Sequence, residues 1–406
     1  MLSSMFTAIS ALGAQQNYLD VVSDNLANTN TNGFKASRVL FQDQYSQLIS
    51  PGSAPTTTTG GTNPTQIGLG VQTGYISPVF TQGTLQSTGR NLDLAIQGDG
   101  FFIYGSNGNQ LYSREGSLNL DSSGTLVNSA TGLPVQGWTA AADGTIDTTA
   151  PVGNIKVSTN QTIAQATTQA GFAGNLNSST LTTDPAIPVS MGLYDSLGNV
   201  QAATVAFTRT GANDWSWAVT NPAGATGNGT VTFENNGQYV SSTGAASLNV
   251  PGSTGANAVN PTLDFSKLTM LSAATGVTVP SQNGLPAGSV TDINIAQDTG
   301  VVSLVYSNGM NQTVGQVALA TFTNPDGLQR TGNTMFKVGL NSGNPQIGPS
   351  GTGGRGTISS GYLEASNVDL AQEMTNMILA ERGFQANSKV ISTSDEILQT
   401  LVNLKQ

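Results

Sequence analysis

Apolar residues recur every three or four positions at both ends of the chain and every second position in its middle. This pattern predicts an amphipathic helix over residues 2–26 and a longer one over residues 368–404. In both helices the apolar stripe is narrow, which is typical of a coiled-coil seam. The seam residues are Leu2, Met5, Ile9, Leu12, Leu19 and Leu26 in the first helix and Leu370, Met374, Met377, Phe384, Ile391, Leu398 and Val402 in the second.

Polar residues such as Gln16 and Glu381 interrupt both seams. A single terminal amphipathic helix ordinarily docks on the core of its own protein. Two helices with narrow seams at opposite chain ends favour a different interpretation, in which the helices pair with each other and then with neighbouring molecules. We therefore expect residues 1–30 and 366–406 to form a terminal helical core domain. The stretch Ser366–Asp369 is predicted to begin the second helix as a capping box.

Between the helices, short alternating runs bounded by Gly, Asn and Asp predict antiparallel strands and hairpins. The same strand texture stops near residue 147 and resumes near residue 284, which indicates that a second β domain is inserted into the first. The predicted fold class is therefore mixed and mainly β, with terminal α-helices that form a coiled-coil-like core region. The other predicted parts are a connecting segment at 31–73 with a Pro/Thr/Gly loop at 51–67, an inner β domain at 74–147 and 284–365, and an inserted outer β domain at 148–283.

An asparagine run follows the first helix. Asn28, Asn30 and Asn32 are predicted to end it, because Asn tolerates turn and left-handed conformations. Gly33 permits a sharp change of direction, and Phe34 can anchor the next segment in a neighbouring surface. Asn28, Asn32, Gly33 and Phe34 are therefore predicted, with the seam residues, to belong to an assembly interface.

Charge and composition exclude several functions. Only 9% of the 406 residues are charged, the net charge is −10, and the 13 basic residues are scattered singly. Without a basic stripe, binding to nucleic acid or to an anionic membrane surface is not expected. The surface must consist largely of neutral hydrogen-bonding side chains, which suits a protein that lies against copies of itself.

The chain contains no histidine and no cysteine. It therefore lacks the side chains that most often act as general base or thiol nucleophile, which argues against an enzyme. The motif from Gly351 to Gly356 matches a dinucleotide-binding pattern but lies in polar sequence, so a loop is expected. Asp298-Thr299-Gly300 is expected to be a hairpin turn, because a second protease-like triplet is missing. The alternation of Trp215 and Trp217 favours core packing over a sugar site.

Two other classes of protein remain as alternatives. A β-rich surface adhesin would share the Thr, Gly and Asn content, although it would not need paired terminal seams. A protease or glycosidase would need a convergent pair of carboxylates, and no such pair is marked among the 23 acidic residues.

Two long stretches carry a family resemblance. LDVVSDNLANTNTNGFKASRVLFQD at 19–43 and GYLEASNVDLAQEMTNMILAERGFQANSKVISTSDEILQTLVNL at 361–404 resemble the terminal signatures of bacterial flagellar axial proteins, the rod and hook group. Within that group, the stretch at 189–209 resembles the outer domain of hook subunits. The segment at 46–70 resembles a distal-rod segment instead, so a distal rod-type axial protein is the alternative.

The resemblance implies a structural subunit without catalytic activity, cofactor, metal or small-molecule substrate. Such subunits polymerise into a curved flexible tube, the flagellar hook, which links rod to filament and transmits motor torque as a universal joint. The implied partners are copies of the chain, the distal rod protein, the hook cap protein, the hook–filament junction protein and the flagellar type III export apparatus. The resemblance also implies export by this apparatus to an extracellular location. Because the first lysine is Lys35, the N-terminus lacks a positively charged region, and a cleaved signal peptide is not expected.

Overall fold

The computed structural model describes residues 2–106 and 108–403, without the side chains of Leu2, Ser106 and Leu401. The fold is mainly β with a helix at each end, α1 (Leu2–Ala27) and α2 (Leu370–Asn403). This confirms the predicted fold class. Among the predicted seam residues, the side chain of Leu2 lies outside the described part. Neither helix in the described part is long and apolar enough to cross a membrane.

The chain forms two compact units. Unit 1 comprises Met1–Val157, Asn294–Ser303 and Thr313–Gln406, and unit 2 comprises Ser158–Ile293 and Leu304–Gln312. The chain therefore leaves unit 1 and returns to it more than once. The predicted division into an inner β domain and an inserted outer β domain stays a prediction.

Unit 1 holds both helices and most of the short strands. Before residue 158 its strands are β1 (Ser37–Asp43), β2 (Ser46–Ser50), β3 (Thr65–Gly68), β4 (Val71–Pro78), β5 (Leu85–Ser87), β6 (Leu94–Gln97), β7 (Phe101–Ser106), β8 (Asn109–Ser113), β9 (Leu118–Leu120), β10 (Leu126–Asn128), β11 (Gln136–Thr139) and β12 (Gly153–Asn154).

Unit 2 begins with the next group of strands. These are β13 (Thr162–Gln165), β14 (Gln169–Asn175), β15 (Ile187–Tyr194), β16 (Val200–Arg209), β17 (Asp214–Asn221), β18 (Asn228–Phe233), β19 (Tyr239–Ser242), β20 (Thr262–Thr269), β21 (Gly276–Gln282) and β22 (Leu285–Ile295). The remaining strands are β23 (Val301–Tyr306), β24 (Asn311–Val317), β25 (Leu319–Thr321), β26 (Gln329–Gly332), β27 (Met335–Lys337), β28 (Gln346–Gly348), β29 (Thr357–Ser360) and β30 (Tyr362–Glu364).

The core of unit 1 lies on a six-stranded sheet in the order β26-β27-β8-β7-β25-β28. Strand β7 is buried on both faces, since Phe101, Phe102, Ile103 and Tyr104 are each at most 3% exposed. The Phe101 ring lies edge-on to Phe80, with ring centroids 5.3 Å apart. Aromatic contacts of this kind add to the burial energy and hold the sheet rigid. The sheet therefore offers a firm base for the segments that connect to α1 and α2.

Unit 2 has an antiparallel sheet in the order β15-β16-β17-β18-β19 and a smaller sheet in the order β20-β14-β21. Their side chains share one hydrophobic core, in which the Phe172 and Phe265 rings stack with centroids 5.2 Å apart. Trp215 and Trp217 lie in the same core and are at most 1% exposed. The expectation that these tryptophans pack in the core is confirmed, and neither can line a sugar site.

A buried carboxylate stabilises the turn between β15 and β16. The Asp195 carboxylate accepts hydrogen bonds from the backbone N–H of Leu197, Asn199 and Ser253 and from the Ser253 hydroxyl. Burial by itself raises the Asp195 pKa, but these hydrogen bonds outweigh burial and hold the pKa well below its usual range. Because folding depresses this pKa, the turn contributes stability near neutral pH and loses it in acid.

Candidate assembly surface

Helix α1 ends where the asparagine run begins, as predicted. The Asn28 amide donates to the Asp24 carbonyl at 2.9 Å, and its side-chain oxygen accepts from the Thr31 hydroxyl at 3.0 Å. Gly33 adopts φ +70°, in the left-handed region that favours glycine. A Cβ at this position would lie 2.6 Å from the backbone nitrogen of Glu115, so no other residue fits there without a shift.

Phe34 is only 8% exposed and packs within its own chain. The Arg330 guanidinium lies 5.0 Å above the centre of the Phe34 ring and also donates to the Lys35 carbonyl. Phe34 therefore anchors its segment on β26, the strand of unit 1 that carries Arg330. Little of Gly33 or Phe34 is left for contact with a second molecule, while the predicted Asn28 and Asn32 remain partly accessible.

A buried ionic cluster joins the segment after α1 to the segment before α2. The Glu364 carboxylate accepts from the Lys35 ammonium at 2.6 Å and lies 3.4 Å from the Arg114 guanidinium. It also accepts from the Gly83 backbone N–H at 2.8 Å, and the Glu364 carbonyl accepts from Gly33 at 2.8 Å. All three charged side chains are at most 2% exposed. We call Lys35, Arg114 and Glu364 the terminal clamp.

Burial governs the ionisation of the clamp cations. It lowers the pKa of Lys35 and the pKa of Arg114, whereas the charge of Glu364 opposes the change in both. Since an unpaired buried charge is costly, the clamp depends above all on Glu364, the carboxylate that both cations share.

Two asparagines extend the clamp toward the helices. The Asn367 side chain accepts from the Ala36 N–H at 2.7 Å and donates to the Val79 carbonyl at 2.8 Å. Asn25, inside α1, exchanges two hydrogen bonds with the backbone of Ser37 at 2.8 and 2.9 Å. The last turn of α1 and the start of α2 are thus fixed to the same edge of unit 1.

Helix α2 begins at Leu370, and its cap differs from the predicted capping box. The Asp369 carboxylate accepts from the backbone N–H of Ala371 and Gln372, at 2.9 and 3.1 Å. Asp369 is therefore the N-cap residue, because its short carboxylate reaches the free amides of the first turn. Ser366 instead accepts from the Val368 N–H at 3.3 Å, outside the helix.

Small residues are buried on α1 and α2, which pack against each other. Ala8 on α1 and Ala380 and Ser394 on α2 are buried. A Cβ at Gly383 would lie 2.9 Å from the Gln15 side-chain nitrogen, which shows how closely the helices approach there. On its other side α1 lies against β1 and β4, through a Tyr18–Phe41 ring contact and a hydrogen bond from Asn17 to Thr73.

Several larger seam residues share this side of α2, since Ile391 and Leu398 lie within about 20° of Ala380 at about 100° per residue. The half-buried members are Met5, Leu12, Leu19, Leu26, Met377, Ile391 and Leu398, and the exposed members are Ile9, Leu370, Met374, Phe384 and Val402. Phe6, which widens the stripe of the first helix, is also exposed, and further exposed apolar residues that the seam pattern missed are Ile378, Leu379, Val390 and Ile397. Adjacent apolar pairs such as 378–379, 390–391 and 397–398 are the sequence signal that could have revealed them.

A hairpin in the connecting segment adds to the exposed apolar surface. Strands β2 and β3 pair antiparallel, and every residue of both is exposed. Leu48, Ile49 and Ile67 are each at least half exposed. The predicted Pro/Thr/Gly loop at 51–67 thus includes the first three residues of β3 and joins this strand to β2.

The motifs considered for enzymes have structural roles. Asp298 adopts φ +65° in a turn, and its N–H donates to the Ile358 carbonyl at 2.8 Å. In the loop at 351–356, the Arg355 guanidinium donates to the Pro349 carbonyl and to the Thr352 hydroxyl. Both stretches follow the expectation of a turn and a loop.

Models of protein families match four parts of the chain. Residues 5–35 match "Flagella basal body rod protein", and residues 359–404 match "Flagellar basal body rod FlgEFG protein C-terminal". Residues 95–169 match "Flagellar hook protein FlgE/F/G D1 domain", and residues 175–285 match "Flagellar basal body protein FlaE D2 domain". The matches at the two ends include the asparagine run and the whole of α2 that is described.

Curated relatives are similar over the full length. The chain is 37% identical to the flagellar hook protein FlgE of Borreliella burgdorferi, covering 100% of both chains. It is 36% identical to the FlgE hook protein of Escherichia coli, covering 98% of this chain and 99% of the relative. It is also 32% identical to the flagellar basal-body rod protein FlgG of Bacillus subtilis, covering 100% of both.

Proposed function

This chain belongs to the flagellar hook protein family and is a structural subunit of the hook, and we propose that it polymerises through its two terminal helices. It is not an enzyme. The observation that supports the polymerisation is the apolar surface left on α1 and α2 after they pack on each other. Because an isolated pair of helices gains little from exposed Leu, Ile and Phe, contact with neighbouring copies would remove this surface from water.

The polymer we propose is a curved flexible tube that links rod to filament and transmits torque as a universal joint. A tube bends when contacts far from its axis shorten on one side and lengthen on the other. Such contacts deform easily when they are neutral and weak, and only 9% of this chain is charged. The terminal clamp would keep both helices fixed on unit 1 while the tube turns.

The partners we propose are further copies of the chain, the distal rod protein, the hook cap protein and the hook–filament junction protein. We further propose export by the flagellar type III apparatus to the extracellular part of the flagellum. These partners and this route rest on the family. A distal rod-type axial protein is the less supported alternative, since the rod protein of Bacillus subtilis is 32% identical and two hook proteins are 36% and 37% identical.

The test is assembly of the purified full-length chain, followed by sedimentation and electron microscopy. We expect tubes from the wild type, and a large loss of assembly when Ile378 and Leu379, which are 58% and 62% exposed, are both changed to Ser. The matched control changes Leu197 and Val200 of unit 2, which are 52% and 59% exposed, to Ser and should assemble normally.

Curved tubes would support the hook, and straight tubes would favour the rod-type alternative. If the wild type forms no polymer while relatives in the same buffer do, the proposal is wrong. If the helix variant and the control assemble equally well, the helices are not the assembly surface.

A further inference from the structure

Helix α2 has two apolar flanks, one on each side of its contact with α1. Successive residues of an α-helix are rotated by about 100°, and Gly383, which approaches Gln15 of α1, shares one side of α2 with the buried Ala380 and Ser394. The mean direction of Ala380 and Ser394 therefore represents the side that faces α1. The residues that lie about 60–140° from the α1-facing direction on one side of the helix are Leu370, Met374, Glu381, Phe384, Asp395 and Val402. Those that lie about 60–160° from it on the other side are Leu379, Arg382, Lys389, Val390 and Ile397.

The two flanks carry opposite charge, so we call them the acidic flank and the basic flank. Glu381 and Asp395 lie on the first, and Arg382 and Lys389 lie on the second; all four side chains are exposed. Within the described residues none of the four takes part in an ion pair. Glu396 lies opposite α1, on the boundary between the flanks. A contact between two like flanks would bring like charges together, whereas a contact between unlike flanks would pair opposite charges.

The basic flank continues into a groove. Val390 lines an open groove of about 400 Å³ together with Thr7 and Ala8 of α1 and Ile67 of the β2–β3 hairpin. The walls of this groove are mostly apolar. The basic flank therefore combines a row of apolar side chains with a recess beside it, while the acidic flank presents the projecting side chains of Leu370, Met374 and Phe384.

We propose that the acidic flank of α2 in one copy docks on the basic flank and its groove in the next copy. This inference rests on the proposed function, because it specifies which surfaces meet in the polymer. The contact is heterologous, so every copy offers one free flank of each kind to the chain of contacts, and growth does not stop at a dimer. The occupant of the groove is an apolar side chain from the acidic flank of a second copy.

Charge reversal tests this pairing without disturbing the helix, because all four charged side chains are exposed. One variant carries Glu381→Lys and Asp395→Lys, which makes both flanks basic. A second variant carries Arg382→Glu and Lys389→Glu, which makes both flanks acidic. The matched control carries Asp326→Lys and Lys337→Glu, two exposed positions outside both helices.

At low ionic strength each helix variant alone should raise the critical concentration for assembly by about tenfold or more, since attraction becomes repulsion. An equimolar mixture of the two variants should assemble near the wild-type concentration, because copies with basic flanks then alternate with copies with acidic flanks. Circular dichroism and thermal melting should show that both variants fold like the wild type, and the control should assemble like the wild type.

The outcomes separate this inference from the proposed function. If either helix variant assembles at the wild-type concentration, its flank does not face the opposite flank and the pairing is wrong. If both are impaired but the mixture is no better than either one, the pairing is also wrong. In both cases a wild type that still polymerises leaves the proposed function intact, whereas a wild type that never polymerises contradicts the proposed function itself.

Discussion

The terminal clamp makes a quantitative prediction. Changing Glu364→Gln keeps the size of the side chain and leaves an amide oxygen that can accept from Gly83, but it removes the only negative charge of the cluster. Lys35 and Arg114 are then buried without the carboxylate that pairs with both. Removing one partner of a buried ion pair costs about 3–5 kcal/mol. We expect the free energy of unfolding of unit 1 to fall by this amount.

Amide hydrogen exchange measures the effect where it occurs. The N–H groups of Gly33 and Gly83 both donate to Glu364. If exchange requires opening of the clamp, a loss of about 3 kcal/mol should speed exchange at both amides at least about a hundredfold. Urea unfolding of the whole chain should show the lost stability in the transition that belongs to unit 1.

A nearby ion pair provides the control. Arg330 and Asp24 lie 3.7 Å apart, with side chains 33% and 54% exposed. Asp24→Asn should therefore change stability by no more than about 1 kcal/mol. If Glu364→Gln also costs less than about 1 kcal/mol, the burial of Lys35 and Arg114 does not depend on the charge of Glu364, and our account of the clamp is wrong. Adding Lys35→Met to Glu364→Gln should recover part of the loss, since one uncompensated charge disappears.

Three further predictions concern single positions. Gly33→Ala should destabilise the protein by about 1 kcal/mol or more beyond Gly89→Ala in thermal melts, because both glycines have φ near +70° but only at Gly33 would the new Cβ meet backbone atoms. Equal losses of stability in the two variants would contradict this. Asp195→Asn should destabilise unit 2 by about 2–3 kcal/mol at pH 7, since hydrogen bonds to a charged group are lost. The difference in the free energy of unfolding between wild type and variant should shrink below pH 4, and a difference that stays constant with pH would refute the role of the low Asp195 pKa. Burial raises the pKa of Tyr112 to about 12 and also raises the pKa of Tyr104, so unit 1 should lose stability as pH rises from about 10 to 12. Urea unfolding at alkaline pH should show a smaller loss for Tyr112→Phe, and an unchanged dependence on pH would exclude Tyr112 as a cause.

The sequence predicts those features that depend on local periodicity or on backbone conformation. The alternation of Trp215 and Trp217 places both on one face of β17, and the structure buries both. The end of α1 at the asparagine run follows from Asn and Gly preferences that act over a few residues. Such features need no knowledge of the rest of the chain.

The terminal clamp could not be predicted in this way. Glu364 stands alone among apolar and small residues, and its partners Lys35 and Arg114 are 329 and 250 positions away in the sequence. A lone acidic residue in that context is ordinarily solvent-exposed. Only the pairing of distant strands brings these three charges together.

The helix contact shows a different limit. A search for large apolar residues at spacings of three and four finds the seam, but it misses the small residues Ala8, Ala380, Gly383 and Ser394. Small residues allow the helices to approach closely and leave no periodic apolar signal. Of the large seam residues, Leu370, Met374, Phe384 and Val402 lie exposed on one flank of α2.

This exposure links the fold of the subunit to its assembly. If all large side chains were buried between α1 and α2, the outer surface of the pair would be polar. Because Leu370, Met374 and Phe384 stay exposed, the pair leaves apolar surface uncovered, and helices whose apolar surface is not buried are only marginally stable. The clamp fixes the bases of both helices through buried charges. Contact between unlike flanks would then supply the missing burial, and helix stability and polymer growth would depend on the same apolar residues.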